Sequence, residues 1–350
     1  MWGIIKKAIN SKLDIPVNKQ LGSIYVGSTR YAPVLNVNVP DLGWVQTAPT
    51  NTVSSLGLSP DGAYIYSGGN DNIVRQIDTS DGSIGWTVTF SRSNVGIAVS
   101  NSGDYIYVGT DEYTGTLQPI VRQLVASTGA NGWTYTGASG EGSSKSLAIS
   151  PDDNFVYVGI STGIIRQINT SDGSAGWTFS GHTDDVEALI VSPDGNYVYS
   201  GSRDYTVKQI NISDGSAGWT FTGHVYFVKD LAISSDGSYL YSASSGTSHS
   251  LKRINTSDGS SDWTYSTGVG YYTVDVSPCG EYLYFSTPSE IIQLKISTQE
   301  TIWAFEEVYD YVVDSVLSPD GKQLYFGGQE DSIKQIKNLF HEIKYYKEMI

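Results

Sequence analysis

Hydrophobic residues in this chain fall in short alternating runs separated by turn residues. The pattern is clearest over residues 181–223. An alternating run at 187–192 ends in the turn Ser192-Pro193-Asp194-Gly195, and a second at 197–200 leads up to Gly201. A third run covers 207–211. The turn Ser213-Asp214-Gly215-Ser216 follows it, and a fourth run holds Trp219, Thr220 and Phe221. Period-two alternation between turn signals predicts strands, and four in succession predict one antiparallel meander. A self-similar period of roughly 42 residues marks a propeller with one four-stranded blade per repeat.

The copies can be counted in two ways. The first turn opens at Ser59, Ser100, Ser150, Ser192, Ser234, Ser277 and Ser318, which is seven copies. The fourth-run tryptophan recurs at Trp44, Trp86, Trp133, Trp177, Trp219, Trp263 and Trp303, also seven. The series are out of step, because Trp44 precedes the first turn and no tryptophan follows the last. A ring resolves this if the last blade takes three strands from 308–338 and its fourth from 43–47. Pairing the chain ends removes an open sheet edge that would invite aggregation. The expected fold is therefore all-β: a seven-bladed β-propeller of four-stranded blades over 43–338, closed by an N-terminal strand. Eight blades is the alternative. Within the connecting segment 23–42, residues 24–27 resemble a second strand and 34–39 alternate like a third.

Short helices are expected at both ends. Trp2, Ile5, Ile9 and Leu13 fall at helical spacing with Lys6, Lys7 and Lys12 between them, and Pro16 follows. This predicts an amphipathic leader over 1–22, which either lies on its own propeller or docks to another protein. Leu339, Ile343 and Tyr346 predict a C-terminal helix over 339–350.

Composition narrows the function classes. The net charge of −15 argues against duplex nucleic acid and anionic membrane as main partners, since both require basic patches. No run approaches the roughly 18 apolar residues of a membrane span, and the N-terminus lacks a secretory signal's apolar stretch. The single cysteine, Cys279, excludes a disulfide framework within the chain.

Two resemblances cover about residues 43–338. The order Gly181-His182, the Ser192–Gly195 turn, Ser200-Gly201-Ser202 with Asp204, and Thr206-Val207-Lys208 resembles a WD-repeat. The signature Trp-Asp is absent, replaced by Ile77-Asp78, Ile168-Asn169, Ile210-Asn211 and Ile254-Asn255, and only His182 and His224 supply the family's histidine. The resemblance thus implies the fold, with the family's His/Ser/Asp/Trp network mostly missing. The run Asp78-Thr79-Ser80-Asp81-Gly82 followed by Gly85-Trp86, with its copies, is similar to quinoprotein repeats, in which each Trp packs on the neighbouring blade. The leader, from Trp2 to Ser11, resembles that of tail-associated proteins of phages and prophages of Gram-positive bacteria. This implies a virion component whose leader docks to a shared tail part.

An antiparallel meander sorts its loops by face. The turns between strands one and two and between three and four share one face, and those turns are repetitive. Their Asp and Gly serve turn geometry, not metal binding or catalysis. The turns between strands two and three and the links between blades share the other face, where the copies differ. Tyr226 and Phe227 enter blade 5, Tyr271 and Tyr272 enter blade 6, and Tyr309 and Tyr311 enter blade 7. These six either form one aromatic patch, suited to a glycan or peptide by stacking and hydrogen bonds, or place half of each pair in the first-strand core. Residues 70–72, 203–205 and 111–116 would rim the same face.

Catalytic and cofactor motifs find little support. The quinone enzymes of the similar repeat family have adjacent cysteines, and here only Cys279 exists. The four histidines, His182, His224, His249 and His341, have no metal-ligand spacing. Residues 140–145 mimic a phosphate loop, but a strand is predicted to follow instead of a helix. The segment from Asp172 to Trp177 approximates a sialidase Asp-box with its glycine one residue early. An acid pair for glycoside hydrolysis would be assembled in space, and no residue nominates it. The expectation is a non-enzymatic binding propeller without cofactor or metal. It would be a virion protein of a phage or prophage tail, docked through Trp2, Ile5, Ile9 and Leu13 and contacting a host surface glycan or protein. The alternatives are a cytoplasmic scaffold of WD-repeat type and, behind it, a glycan hydrolase.

Overall fold

The computed structural model describes residues 40–339, save 94–95, 114, 247–249, 267, 269, 271, 289, 306–310, 330 and 338, together with two strands, Ile24–Val26 and Thr29–Tyr31. Those two strands pair with each other in a unit (Met1–Val39 with Phe340–Ile350) distinct from the propeller unit Pro40–Leu339. The segment that suggested an eighth blade therefore contributes a two-stranded hairpin, and the blades number seven. The expected leader helix, with Trp2, Ile5, Ile9 and Leu13, lies outside the described residues. So does the expected C-terminal helix beyond Leu339.

Each blade is a four-stranded antiparallel meander. Blade 4 is typical, with strands Val186–Val191, Tyr197–Ser202, Val207–Asn211 and Ala217–Phe221 in that spatial order. Blade 7 closes the ring as expected. Its fourth strand, Asp41–Gln46, pairs antiparallel with Ile333–Lys337 from the other end of the propeller. Blade 2 departs from the pattern through Tyr105–Tyr113 and Leu117–Val125, nine residues each. The longer second turn extends this hairpin, which is paired from Val125↔Tyr105 to Leu117↔Tyr113.

The two middle strands of each blade lie between neighbouring blades, so their side chains are buried on both faces. Val198, Tyr199, Val207 and Ile210 are all at most 1% exposed. The outer strand is more exposed, and its tryptophan works as an inter-blade wedge. The Trp177 ring packs on its own blade's Tyr157 and against Gly215 of the next blade. A Cβ at Gly215 would sit 2.8 Å from the indole, and the residue holds φ 73, so only glycine meets both demands. The indole Nε1 donates to Ile212 O at 2.7 Å, and Gln167 Nε2 reaches the same carbonyl at 3.5 Å. The same double bridge links Trp44 and Gln335 to Thr79 O, Trp86 and Gln76 to Ala126 O, Trp133 and Gln123 to Thr170 O, and Trp219 and Gln209 to Thr256 O.

The seam between blades 5 and 6 is different. Arg253 stands in the glutamine position and pairs with Asp262, which occupies the place of the glycine before Trp. Blade 6 also replaces the Thr-Ser-Asp-Gly sequence by Ile296, Ser297, Thr298 and Gln299, with Gln299 at φ 53. Trp263 Nε1 finds no acceptor among the described residues, and neither does Trp303 Nε1.

Candidate functional site at the mouth of the channel

The first strands of the seven blades surround the ring axis. In five of them the pairing with the second strand slips by one residue near the start. Val53 pairs with Gly69 and Ser55 with Gly68, which leaves Ser54 as an extra, unpaired residue. The same bulge isolates Lys145, Glu187, Lys229 and Val313. A β-bulge bends its strand and re-aims the extra side chain. Here all five bulged residues line one cavity of about 390 Å³, and Tyr272 of blade 6 lines it too. The bulged residue is Ser54, Lys145, Glu187, Lys229 and Val313 in blades 1, 3, 4, 5 and 7.

The ionic groups around the cavity are joined in a chain. Lys145 pairs with Asp185 at 3.1 Å, Asp185 lies 3.5 Å from Arg203, Arg203 pairs with Glu187, and Lys229 reaches Glu187 at 3.0 Å. Burial opposes charge on Glu187, but Lys229 and Arg203 overcome it and hold the carboxyl below its usual range. The chain continues outward, since the Arg203 guanidinium lies over the Phe227 ring, 5.5 Å from its centroid.

Three further carboxyls face the channel from blades 5, 6 and 7. Asp230 Oδ2 accepts from Val274 N at 2.7 Å, Asp275 Oδ2 from Ser315 Oγ at 2.6 Å, and Asp314 Oδ2 from Leu56 N at 2.7 Å. Each bond ties one blade to the next. None of the three has a cationic partner among the described residues. Desolvation, with the neighbouring carboxyls, pushes Asp230 well above the usual range; Asp275 and Asp314 are raised, first by desolvation, to about 7.

These shifts have a definite sign in stability. A carboxyl raised in the folded state holds its proton when the unfolded chain has lost it. Its contribution is complete below the ordinary carboxylate range, near about 4, and is lost as pH rises to about 7. The turn aspartates Asp61, Asp152, Asp194, Asp236 and Asp320 act in the opposite direction. A serine hydroxyl donated to each lowers its carboxyl, so their contribution is lost as pH falls below that range. The melting temperature is expected to peak on the acid side of neutrality and to fall between pH 5 and pH 8, roughly. Asp275→Asn, which keeps an acceptor for Ser315, is expected to raise the melting temperature at the alkaline end by on the order of 5 °C and to change it little at the acid end. Melting curves of both proteins across that range check this, and parallel pH profiles would refute it.

The aromatic residues expected on this face are placed as follows. Tyr226 and Phe227 are half-buried and gather around Tyr205, with centroids 6.5 and 5.7 Å from its ring. Tyr272 is half-buried and packs edge-on against Tyr311, which is 40% exposed, at 5.3 Å. Tyr271 and Tyr309 lie outside the described residues. That these loops share a face is shown by the contacts between links and second turns, such as Thr183 N to Asp204 Oδ2 and Thr50 N to Asp71 Oδ2.

Tyr205, expected on the rim, stands between the two aromatic link residues of blade 5. It is 42% exposed and holds φ 71, a left-handed conformation costly for a bulky side chain. The equivalent turns use Asn72, Gly163 and Asp331. Sequence reasoning placed 203–205 on the rim but overlooked Lys145, Glu187 and Lys229. Their signal was a charge at the second position of the first strand in three successive blades.

The histidine networks are structural. His182 Nδ1 lies 2.7 Å from Asp204, which only accepts, and Nε2 lies 2.7 Å from Ser200 Oγ, while Thr206 Oγ1 donates to Asp204 Oδ1 at 2.6 Å. Blade 5 keeps His224 with Ser242 and Ser250, and no aspartate bonds to the ring among the described residues. There, burial and then Lys252 lower the imidazole to about 3. No group of three or more His, Cys, Asp or Glu side chains among the described residues is arranged to hold a metal ion. No helix among them is long and apolar enough to cross a membrane.

The comparisons with known proteins divide along the ring. Residues 173–211 and 215–249 match the WD domain, G-beta repeat family, and these are the blades that carry His182 and His224. Residues 41–180 match the family of the outer membrane protein assembly factor BamB, from the closing strand to the end of blade 3. No curated protein matches the chain. With seven blades and both kinds of repeat, the molecule is a β-propeller similar to WD-repeat and quinoprotein-like propellers. Propeller blades with these repeats suggest a protein-interaction or binding role.

Proposed function

We propose that this protein is a non-enzymatic binding propeller that contacts its ligand with the face bearing the blade links, at the mouth of the channel. We further propose that it is a tail-associated component of a phage or prophage. In that role it is held in the virion through the leader and meets a glycan or protein of the host surface. The observation that carries the binding reading is Tyr205. An exposed tyrosine in a left-handed turn is a local cost that folding does not require, since asparagine, glycine and aspartate fill the same position elsewhere. It stands among Tyr226, Phe227 and Arg203, the residue types that dominate binding hot spots. The tail placement rests on the resemblance of residues 2–11.

The test uses the full-length chain, labelled, on cell envelopes of Gram-positive bacteria. Tyr205→Asn is expected to leave stability within about 1 kcal/mol, because relief of backbone strain offsets the lost ring contacts. It is expected to weaken binding at least ~30-fold, as for a hot-spot residue. Saturable binding that survives in this variant would remove the assignment of the face. Separation of phage particles from lysate protein tests the location, which the proposal places with the particles.

A second reading, an intracellular scaffold of WD-repeat type, is favoured by one observation. The matched WD repeats cover the two blades that supply Tyr205, Tyr226 and Phe227. It predicts a soluble protein partner on the same face and no association with particles.

A further inference from the structure

We propose that the cavity at the channel mouth is a saccharide site for a sugar without net charge, held between the ring of bulged residues and the Tyr272 side chain. This rests on the binding reading above and names its ligand class. The size fits, since about 390 Å³ lies at the lower end of small-molecule sites. The lining is mixed: Lys145 and Lys229 donate, Glu187, Asp230 and Asp314 accept, and one aromatic ring stands among them.

The charges decide the ligand's charge. Both lysines and Glu187 are already paired, through Asp185 and Arg203, so the wall from blades 3 to 5 offers directional hydrogen bonds with little unbalanced field. An anion would meet the Glu187 carboxylate, and a cation would meet Lys145 and Lys229. A polyhydroxyl ligand escapes this conflict, because every hydroxyl both donates and accepts. The apolar face of a pyranose can pack on Tyr272, itself braced by Tyr311.

The position of the site in the fold supports the assignment. Five blades present a bulged residue to the same space, and that residue differs between successive bulged blades. Turn chemistry and blade packing explain the repeated positions. The inter-blade ion pairs engage Lys145, Glu187 and Lys229, and a shaped polar ligand accounts for the convergence of all five bulged residues and Tyr272 on one space.

The experiment is a titration of the full-length chain by saturation-transfer NMR and calorimetry. The neutral probes are glucose, galactose, rhamnose, N-acetylglucosamine and their disaccharides. The charged probes are glucuronate, glycerol phosphate and glucosamine. At least one neutral saccharide is expected to bind saturably, with affinity changing less than about twofold between about 0.05 and 0.5 M salt. Tyr272→Ala is expected to weaken it at least tenfold. Val313→Phe, which fills the cavity and leaves the ion-pair chain untouched, is expected to do the same, and melting curves confirm that both variants are folded. Binding of none of the neutral probes, preference for a charged one, or unchanged affinity in Val313→Phe would overturn the proposal. Envelope binding separates this failure from that of the binding reading. If whole envelopes bind, and binding survives periodate but not protease, the face binds a protein and the saccharide assignment fails alone.

Discussion

A chain that begins at residue 48 is expected to lose cooperative unfolding, while one that begins at residue 40 retains it. The difference is one strand, Asp41–Gln46, and its effect follows from what it closes. Within blade 7 it completes the sheet on Ile333–Lys337, and Trp44 packs on Tyr325. Across the seam, Trp44 Nε1 donates to Thr79 O at 2.8 Å, Gln46 Nε2 donates to Gly82 O at 2.7 Å, and the Trp44 ring covers Gly82. Loss of the indole packing alone costs about 3–5 kcal/mol, and the ladder bonds are lost with it. Domain stabilities lie in the range of about 5–15 kcal/mol, so the ring without its closing strand is left marginal. It also exposes Ile333–Lys337 as a new sheet edge, which invites pairing between copies. Calorimetry and light scattering of the two truncated chains are the measurements. A sharp transition and a monomer for the shorter chain would show that the ring closes by other means.

The second large effect concerns the tryptophan wedges, which are alike in sequence but not in energy. Trp177→Ala is expected to destabilise by about 3–5 kcal/mol, the cost of an aromatic side chain removed from a packed site. The informative comparison is with phenylalanine. Trp177→Phe removes the donor to Ile212 O as well as volume, and the loss of that hydrogen bond alone is worth about 1 kcal/mol. Trp263→Phe removes an N–H that has no acceptor among the described residues, so it relieves an unmet polar group. Trp263→Phe is therefore expected to cost at least about 1 kcal/mol less than Trp177→Phe, although the two residues occupy the same place in their blades. Urea unfolding of the two variants decides it. Equal losses would mean that the Trp263 N–H is satisfied in solution, for instance by water.

The expectations that succeeded and those that missed divide by physical range. The Ser192-Pro193-Asp194-Gly195 turn closes on itself, through Ser192 Oγ to Asp194 Oδ1 at 2.6 Å and Gly195 N to Ser192 O at 2.9 Å. Such bonds span a few residues, so each copy of the turn declares itself in the sequence. The tryptophan offset between the chain ends did so as well, because a ring is the simplest arrangement that leaves no blade incomplete. The fold class, the seven blades, the closing strand and the sorting of loops between two faces were all legible on that basis.

The site was legible only in part. The aromatic links stood out because they interrupt a polar series, yet Tyr205, around which Tyr226 and Phe227 gather, lies in a turn of the preceding blade. The ion-pair chain from Lys145 to Lys229 spans three blades, and its members lie far apart in sequence. Nor does alternation reveal a bulge. Counting by twos along 186–191 assigns Glu187 to the face opposite Val186, and only the slipped pairing of that strand with Tyr197–Ser202 makes it an extra residue lining the channel. Local turn chemistry and strand periodicity therefore determined the repeat, the ring and its closure from the sequence alone. Which side chains share the channel mouth, and which carboxyls burial pushes up, were decided by strand register and by the approach of neighbouring blades, interactions that exist only once the ring has formed.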